Sequence, residues 1–211
     1  MSQSSNFNIQ CQQCPRLASF LGELKKKYPD YHNLPVAPFG DKNARLLIVG
    51  LAPGMHGANA TGRPFTGDHA GILLYETLYK FGFSNCPESV SSNDGLKLKN
   101  CRITNAVKCL PPQNKPIGSE INTCNSYLAE ELDTLKKGSV IIALGTIAHN
   151  AVLRASGEKL SAHKFGHAAL HNINNLLLLD SYHCSRYNTQ TKRLTEKMFH
   201  DVFKKAKKLI G

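Results

Sequence analysis

The chain has 211 residues, of which 41% are hydrophobic, and this is enough to build one domain with a sizeable core. There is no run of about 18 apolar residues and the first ten positions lack a signal-peptide pattern, so neither a membrane-spanning nor an exported protein is expected. Lysine and arginine total 26 against 15 aspartate and glutamate, a formal net charge of +11, which favours a polyanionic partner, although a solvated basic surface would have the same composition.

Short apolar runs alternate with segments of helical periodicity along the chain, which is typical of a three-layer α/β domain with buried parallel strands. The pattern predicts strands over 44–51, 102–108, 140–144 and 176–182. It predicts helices over 13–27, 71–81, 119–136, 147–156 and 190–209. The polar segment 84–100 contains Pro87 and Gly95 and is predicted to be a surface loop. No linker divides the chain, so we expect a single domain over residues 1–211.

Two cysteines near the start, Cys11 and Cys14, form a C-x-x-C pair, which by itself fits zinc, an iron–sulfur cluster or a redox dithiol. Cys109 and Cys124 lie fifteen positions apart around a proline-rich loop, and with the first pair they supply the four thiolates that a tetrahedral metal or a cubane cluster requires. The chain has seven cysteines, and an odd number of cysteines in an intracellular chain argues against a disulfide framework. The other three are interpreted as small apolar or surface thiols: Cys86, Cys101 and Cys184.

A long glycine-rich segment, G-L-A-P-G-M-H-G-A-N-A-T-G-R-P-F-T-G-D, follows the first predicted strand over 50–68. It lacks the spacing of a dinucleotide fingerprint and the Lys-Ser/Thr pair of a phosphate-binding loop, so it indicates a binding loop for another ligand. Phe65 lies in this loop, and without a role in ligand binding it would be expected to pack in the core. Asp68 is its only carboxylate, and capping the next helix is an alternative role for it.

Polar side chains also accompany the second and fourth predicted strands. Asn105 places an amide, with a donor and an acceptor in one plane, in an otherwise apolar strand. His183 follows the fourth strand, and Asn188 comes five positions later. Because ligands bind beyond the carboxyl ends of strands in open α/β sheets, both side chains are candidates for a site there. A purely structural role is the alternative for each.

Together these segments resemble the uracil-DNA glycosylase superfamily from Cys11 to Asn188. The segment 50–68 is similar to the first active-site motif of its family 5, with Leu51 where family 4 enzymes carry an acidic residue. The segment 183–188 is similar to the superfamily motif H-P-S-x-x-N. The chain departs from these patterns at Cys184, which replaces the usual proline, and at Ala60, which stands where the family usually carries arginine.

The resemblance implies an α/β/α sandwich around a central four-stranded parallel sheet and assigns roles to individual residues. A flipped base would stack on Phe65, and Asn105 would read the O4 and N3–H edge of uracil and reject cytosine. His183 would stabilise the O2 oxyanion of the departing base, and Asp68 would position water or stabilise charge on the sugar. Leu51 and Ala52 would complete the base-binding pocket. The loop that enters the DNA minor groove would consist of Ser185, Arg186, Tyr187 and Asn188.

The resemblance also implies a 4Fe-4S cluster on Cys11, Cys14, Cys109 and Cys124, for which zinc is the competing ion. The expected activity is monofunctional hydrolysis of the N-glycosidic bond of uracil in double-stranded DNA, which initiates base excision repair. Hypoxanthine and other deaminated bases are further candidate substrates. We expect a monomer in the cytoplasm, associated with the nucleoid of a bacterium or archaeon. Two alternatives stay open: a non-catalytic iron–sulfur DNA-binding protein, and an iron–sulfur electron carrier or redox sensor.

Overall fold

The computed structural model describes residues 7–211, which form one mixed sheet covered by helices on both faces. The strands, numbered along the chain, are β1 (Phe39–Gly40), β2 (Leu46–Gly50), β3 (Cys101–Asn105), β4 (Val140–Leu144), β5 (Leu170–Ile173) and β6 (Leu176–Ser181). The helices are α1 (Pro15–Lys27), α2 (Ala58–Thr61), α3 (His69–Lys80), α4 (Gly118–Asp133), α5 (Thr146–Ala155), α6 (Arg186–Gln190) and α7 (Glu196–Ile210). None of these helices is long and apolar enough to cross a membrane.

The four predicted strands are confirmed as a parallel central sheet in the order β3-β2-β4-β6. Two antiparallel edge strands that the sequence did not predict extend it, β1 beside β3 and β5 beside β6. Strands β2 and β4 are buried over their whole length, as expected of strands covered on both faces. The four parallel strands end together at one edge, which we call the carboxyl edge, and begin together at the opposite amino edge.

Two apolar clusters fill the space between the sheet and its helices. One face packs against α3 and α7 through Leu74, Leu78, Phe199 and Phe203. The other face packs against α1, α4 and α5 with side chains such as Leu21, Leu128 and Val152. The chain therefore has the three layers that the sequence predicted.

One predicted helix is wrong at its start. The sequence placed a single helix over 190–209, whereas α7 begins at Glu196 and a separate short helix, α6, occupies Arg186–Gln190. Hydroxyl groups decide both starts, because Ser185 Oγ accepts the N–H of Asn188 and Thr195 Oγ1 accepts the N–H of Met198. The segment predicted as an irregular groove-entering loop is thus largely helical.

Candidate active site

An open cavity of about 370 Å³ lies at the carboxyl edge of the sheet. It is formed where β2, β3 and β6 end, because Gly50 pairs with Asn105 in register and His183 follows β6 by two residues. The residues that the sequence predicted for the site and that line this cavity are Leu51, Ala52, Phe65, Asp68, Asn105, His183 and Ser185. Three separate chain segments therefore converge on one space.

Phe65 presents its ring to the cavity from a strained backbone. Its φ of 55° lies in the left-handed region, which a bulky residue rarely adopts, and its side chain is 7% exposed. The buried Tyr75 hydroxyl donates to the carbonyl of the preceding Pro64 at 2.7 Å, and burial raises the pKa of Tyr75 to about 12, so this donor stays protonated. Tyr75 is a positioning residue that sequence reasoning missed, since its polar tip is hidden in an ordinary helical pattern.

Asn105 is the last residue of β3, which ends three residues earlier than predicted, so its amide lies at the strand end. The residue is 3% exposed, and its Oδ1 is buried without a hydrogen-bond partner within the described chain. A methyl group on Gly50 would collide with this oxygen and would lie 2.6 Å from Phe65 Cζ. Glycine at position 50 thus keeps open the space between the amide and the ring.

His183 brings a second unpartnered polar atom to the cavity, since its Nδ1 is buried without a hydrogen bond within the described chain. Loss of hydration on burial lowers its pKa to about 4, so the imidazole is neutral at physiological pH. Its backbone carbonyl accepts a hydrogen bond from Asn188 Nδ2 at 2.8 Å. The Asn188 amide is therefore engaged in bracing the histidine loop.

Asp68 performs the helix-capping role that the sequence offered as its alternative, and it also lines the cavity. Its Oδ1 accepts the N–H of Gly71 at 2.9 Å at the start of α3. Burial raises the pKa of Asp68, although backbone N–H groups of Gly71 and Ala70 oppose the shift. The close approach of Gly57, where a Cβ would lie 2.6 Å from Asp68 Oδ2, places the glycine-rich loop against this carboxyl.

Arg186 and Tyr187 lie outside the cavity on the first turn of α6. Both side chains are exposed, and the Tyr187 ring is 70% exposed. Arg186 lines a neighbouring groove that it shares with Asp68. Ser185 lines the cavity itself and caps α6, so this segment runs from the cavity to the solvent-exposed rim.

The polar loop 84–100 holds the glycine-rich loop in place, a role that the sequence did not reveal. Arg63 is 4% exposed and donates to Asp94 Oδ2 at 2.5 Å. The hydroxyls of Ser89 and Thr66 lie 2.6 Å apart. Partial burial would raise the pKa of Asp94, but hydrogen bonds from Arg63 and from three backbone N–H groups hold it well below its usual range. These contacts flank Phe65 on both sides in the chain.

The four cysteines predicted as metal ligands, Cys11, Cys14, Cys109 and Cys124, line one narrow cavity beside α1 and α4. Burial raises the pKa of Cys109 to about 12, and it also raises the pKa of Cys14 and Cys124. No three of these four sulfurs lie within 4.8 Å of one another. The other three cysteines stay apart from this group: Cys101 and Cys184 are buried in the core, and Cys86 is half-buried.

An ion pair connects the two halves of this cysteine site. Arg16, two residues after Cys14, donates from Nε and Nη2 to the two carboxylate oxygens of Glu120 at 2.7 and 2.8 Å. Glu120 is 4% exposed and stands one helical turn before Cys124 on α4. Partial burial would raise the pKa of Glu120, but the Arg16 hydrogen bond, the Ile117 N–H and the positive charge of Arg16 together outweigh burial and lower the pKa. The pair fixes α1 to α4 next to the sulfurs.

Comparisons with known proteins agree with this geometry. Residues 37–207 match the model of the uracil DNA glycosylase superfamily. A type-5 uracil-DNA glycosylase of Thermus thermophilus is 45% identical over 95% of this chain and 94% of its own length. The type-5 enzymes of Pyrobaculum aerophilum and Mycobacterium tuberculosis are 42% and 41% identical over 94% and 95% of this chain, and over 88% and 78% of their own lengths. The chain belongs to the uracil-DNA glycosylase superfamily and, within it, to the type-5 family.

Proposed function

We propose that this protein removes uracil from double-stranded DNA by hydrolysing its N-glycosidic bond, the first step of base excision repair. The observation that carries the proposal is the arrangement of one aromatic ring, Phe65, with two buried unpartnered polar atoms, Asn105 Oδ1 and His183 Nδ1, around one cavity. Buried polar atoms are rarely left unpaired unless a ligand completes them. A flat molecule with polar edges satisfies all three groups.

Asn105 would select the base. Its Oδ1 accepts the N3–H of uracil while its Nδ2 donates to O4, and both bonds lie in the plane of the amide. Cytosine presents an acceptor at N3 and a donor at its exocyclic amine, so each bond would be replaced by a clash of like groups. Since leaving buried polar groups unpaired is costly, this single side chain can give strong discrimination.

His183 would stabilise the leaving group. As the bond between C1′ and N1 breaks, its electron pair moves to the base, and the negative charge spreads to O2. A neutral imidazole donates a ring N–H to that oxygen without itself losing a proton, and the low pKa of His183 keeps it in this form. One such donor is typically worth about 3 to 4 kcal/mol of transition-state stabilisation.

Asp68 would act on the sugar side of the bond. The carboxyl lines the same cavity and can orient water toward C1′ or stabilise the positive charge of the oxocarbenium-like sugar. Water then supplies the hydroxyl of the product, and its proton passes to solvent or to the carboxylate. Leu51 and Ala52 are apolar neighbours that complete the base pocket. Among residues 7–211, Asp68 is the only carboxylate that lines the cavity. No lysine of this range lines it either, and we infer that an abasic site is the product with no strand cleavage.

The segment that follows His183 would engage the duplex. Arg186 and Tyr187 are exposed at the rim of the cavity, where a positive charge meets phosphates and a ring can fill the space left by a flipped base. Ser185 and Asn188 would contribute by fixing the first turn of α6, through the Ser185 cap and the bond from Asn188 to the His183 carbonyl.

The cysteine site would hold a 4Fe-4S cluster. In a tetrahedral zinc site with Zn–S bonds of about 2.3 Å, the sulfurs lie about 3.8 Å apart. No three of the four sulfurs lie that close to one another, which favours a cluster, because each thiolate then binds a different iron. Raised pKa values of buried thiols mean that a cationic group must replace their protons. Such a cluster would supply a structural tether between α1 and the loop after β3.

We further infer a single-domain, cytoplasmic monomer that acts on its own.

The proposal is tested with duplex oligonucleotides that carry uracil, hypoxanthine or xanthine opposite each normal base. After incubation, alkaline cleavage reveals abasic sites. We expect strand breaks at uracil, and breaks at the other lesions would define a broader specificity. Absence of abasic product from uracil under saturating protein would overturn the proposal and favour a non-catalytic DNA-binding protein.

A further inference from the structure

Exposed lysines gather at the amino edge of the sheet, opposite the cavity. Along β3, Cys101 at the amino edge is four residues from Asn105 at the carboxyl edge, a separation of about 13 Å along the strand. The basic charge of the sequence is therefore not confined to the end of the molecule that holds Asn105 and His183.

Backbone contacts fix which residues lie at the amino edge. Arg45, just before β2, donates to the carbonyl of Ile210 at the end of α7 at 2.8 Å. Its own carbonyl accepts the N–H of Val140 at the start of β4 at 2.8 Å. Lys207 Nζ donates to the carbonyl of Phe81, directly after α3, at 2.8 Å. The ends of α3 and α7 and the starts of β2 and β4 are thus tied together.

Six lysines with exposed side chains occupy this edge. They precede β2, β3 and β4 or lie on the last turns of α7: Lys42, Lys99, Lys136, Lys137, Lys204 and Lys208. None of the salt bridges between residues 7–211 includes any of the six. Asp201, one turn before Lys204, is already paired with Lys197 at 2.8 Å.

Helix stabilisation explains only part of this set. Lysines in the last turn of a helix interact favourably with its dipole, and that accounts for Lys208 but not for Lys204 one turn earlier. Lys42, Lys99, Lys136 and Lys137 belong to no helix. A concentration of unpaired positive charge across three loops and one helix end instead fits contact with an extended polyanion.

We propose that the amino edge binds a second segment of double-stranded DNA through its phosphate backbone, while the carboxyl edge engages the first. Lysine ammonium groups act as mobile point charges suited to sequence-independent phosphate contacts, whereas base reading depends more on arginine and amide side chains. Of the arginines near this edge, Arg45 is occupied by the carbonyls of Ile210 and Gly138, and Arg102 is largely buried 3.7 Å from Glu131. A chain that holds two DNA segments at once can pass directly from one segment to the other while it searches for uracil. This proposal extends the proposed function but does not depend on base excision.

The test asks whether one protein chain holds two duplexes. The full chain is mixed with one equivalent of an undamaged donor-labelled duplex, and an acceptor-labelled undamaged duplex is titrated at salt concentrations from about 50 to 200 mM. Energy transfer reports both duplexes on one particle, and sedimentation confirms that the particle contains one chain. We expect transfer that declines steeply with salt.

Paired substitutions locate the second duplex. Lys136→Gln with Lys137→Gln, and separately Lys204→Gln with Lys208→Gln, should each lower the salt slope of second-duplex capture by about 1.8, because each lost phosphate contact removes about 0.9. The matched control is Lys115→Gln with Lys164→Gln, two exposed lysines outside the amino edge, and it should leave this slope unchanged. Single-turnover excision from a short uracil duplex should be unaffected in both test variants.

Several results would overturn the proposal: no energy transfer for the wild-type chain at the lowest salt, particles with two chains, or equal capture by test and control variants. Preference of the amino edge for single-stranded RNA or an acidic peptide over duplex DNA would overturn it as well. If the chain captures two duplexes but makes no abasic product from uracil, the second DNA surface stands and the proposed glycosylase activity fails.

Discussion

The rings of Phe65 and His183 lie with their centroids 5.9 Å apart and their planes inclined by 28°. Because the planes are close to parallel, a base stacked on Phe65 would lie roughly parallel to the imidazole. The proposed stacking residue and the proposed leaving-group donor thus line the same cavity.

Replacing His183 should affect chemistry more than binding. We expect His183→Ala to lower the single-turnover excision rate by roughly 10²- to 10³-fold, the effect of losing one donor to a developing oxyanion. Affinity for a uracil duplex should change little, since the donor acts mainly in the transition state. Quench-flow kinetics and fluorescence anisotropy separate the two quantities, and an equal loss in both would contradict the assignment.

The low pKa of His183 also has a consequence for stability. An imidazole with a pKa of about 4 in the folded state and about 6.5 in the unfolded state binds protons more tightly when unfolded. Its contribution to stability is therefore complete above about pH 6.5 and is lost as the pH falls toward 4. The wild-type chain should lose free energy of unfolding more steeply over that interval than His183→Gln, as measured by urea denaturation.

Glycine at position 50 is required by the space between two side chains. A methyl group there would collide with Asn105 Oδ1 and with the Phe65 ring, both of which are buried. We expect Gly50→Ala to displace the amide or the ring and to reduce excision of uracil by at least 10²-fold. Gly22→Ala is the matched control, because a Cβ there meets nothing within 4 Å. Equal activity of the two variants would show that the cavity does not need this clearance.

Sequence patterns singled out the candidate site residues because these residues come after or at the ends of buried strands that are easy to recognise. The motif positions Phe65, Asn105 and His183 meet at one cavity as the strand order requires. The edge strands were missed because β1 has two residues and β5 has exposed positions at Leu170 and Asn172 between less exposed ones, so neither has an apolar run. The start of α6 was missed because it depends on one hydroxyl cap at Ser185.

The ion pair between Arg63 and Asp94 shows a different limit. The two residues are 31 positions apart, and Asp94 lies in a polar segment without periodicity. Only the folded chain shows that its carboxylate accepts Arg63 and the N–H groups of Val90, Ser91 and Leu96. A sequence pattern indicates candidate chemical groups more readily than it indicates the residues that hold those groups in position.

Removing the Asp94 charge should destabilise the loop that carries Phe65. The side chains of Arg63 and Asp94 are 5% and 12% exposed, and breaking such a pair on one side typically costs about 3 to 5 kcal/mol. Asp94→Asn should therefore lower the free energy of unfolding at neutral pH. Because the pKa of Asp94 is lowered in the folded chain, the extra free energy of unfolding of the wild type over Asp94→Asn is present above about pH 4 and declines below it. A constant difference from pH 7 to pH 2 would contradict the ion-pair explanation.

The Arg16–Glu120 pair should determine how well the cysteine site retains the proposed cluster. Glu120→Gln removes the charge that fixes α1 to α4, so we expect lower visible absorption and less iron per chain after purification. Asp201→Asn is the control, since it removes a comparable pair whose partners are 87% and 57% exposed. Zinc in place of iron in the wild type would contradict the cluster assignment, and equal iron in both variants would contradict the role of the pair.

His167 should position the loop that carries His183. Its Nδ1 accepts the N–H of Tyr182 at 3.2 Å, and its ring stacks on Tyr182 with centroids 5.0 Å apart. Burial lowers the pKa of His167, although the nearby Met198 backbone opposes the shift, and the lowered pKa keeps Nδ1 free to accept. Protonation at low pH would remove that acceptor one residue before His183.

Two substitutions at this position separate stacking from hydrogen bonding. His167→Phe keeps a ring against Tyr182 but leaves its N–H unpaired, at a typical cost of about 1 to 3 kcal/mol, and should reduce kcat while KM changes little. His167→Asn offers an oxygen near the position of Nδ1 and should restore most of the rate. The wild-type rate should fall below the lowered pKa of His167, and this decline should be weaker in the Asn variant because its amide does not titrate. If His167→Phe kept both the wild-type kcat and the wild-type decline of the rate at low pH, the Tyr182 hydrogen bond would have no part in positioning His183.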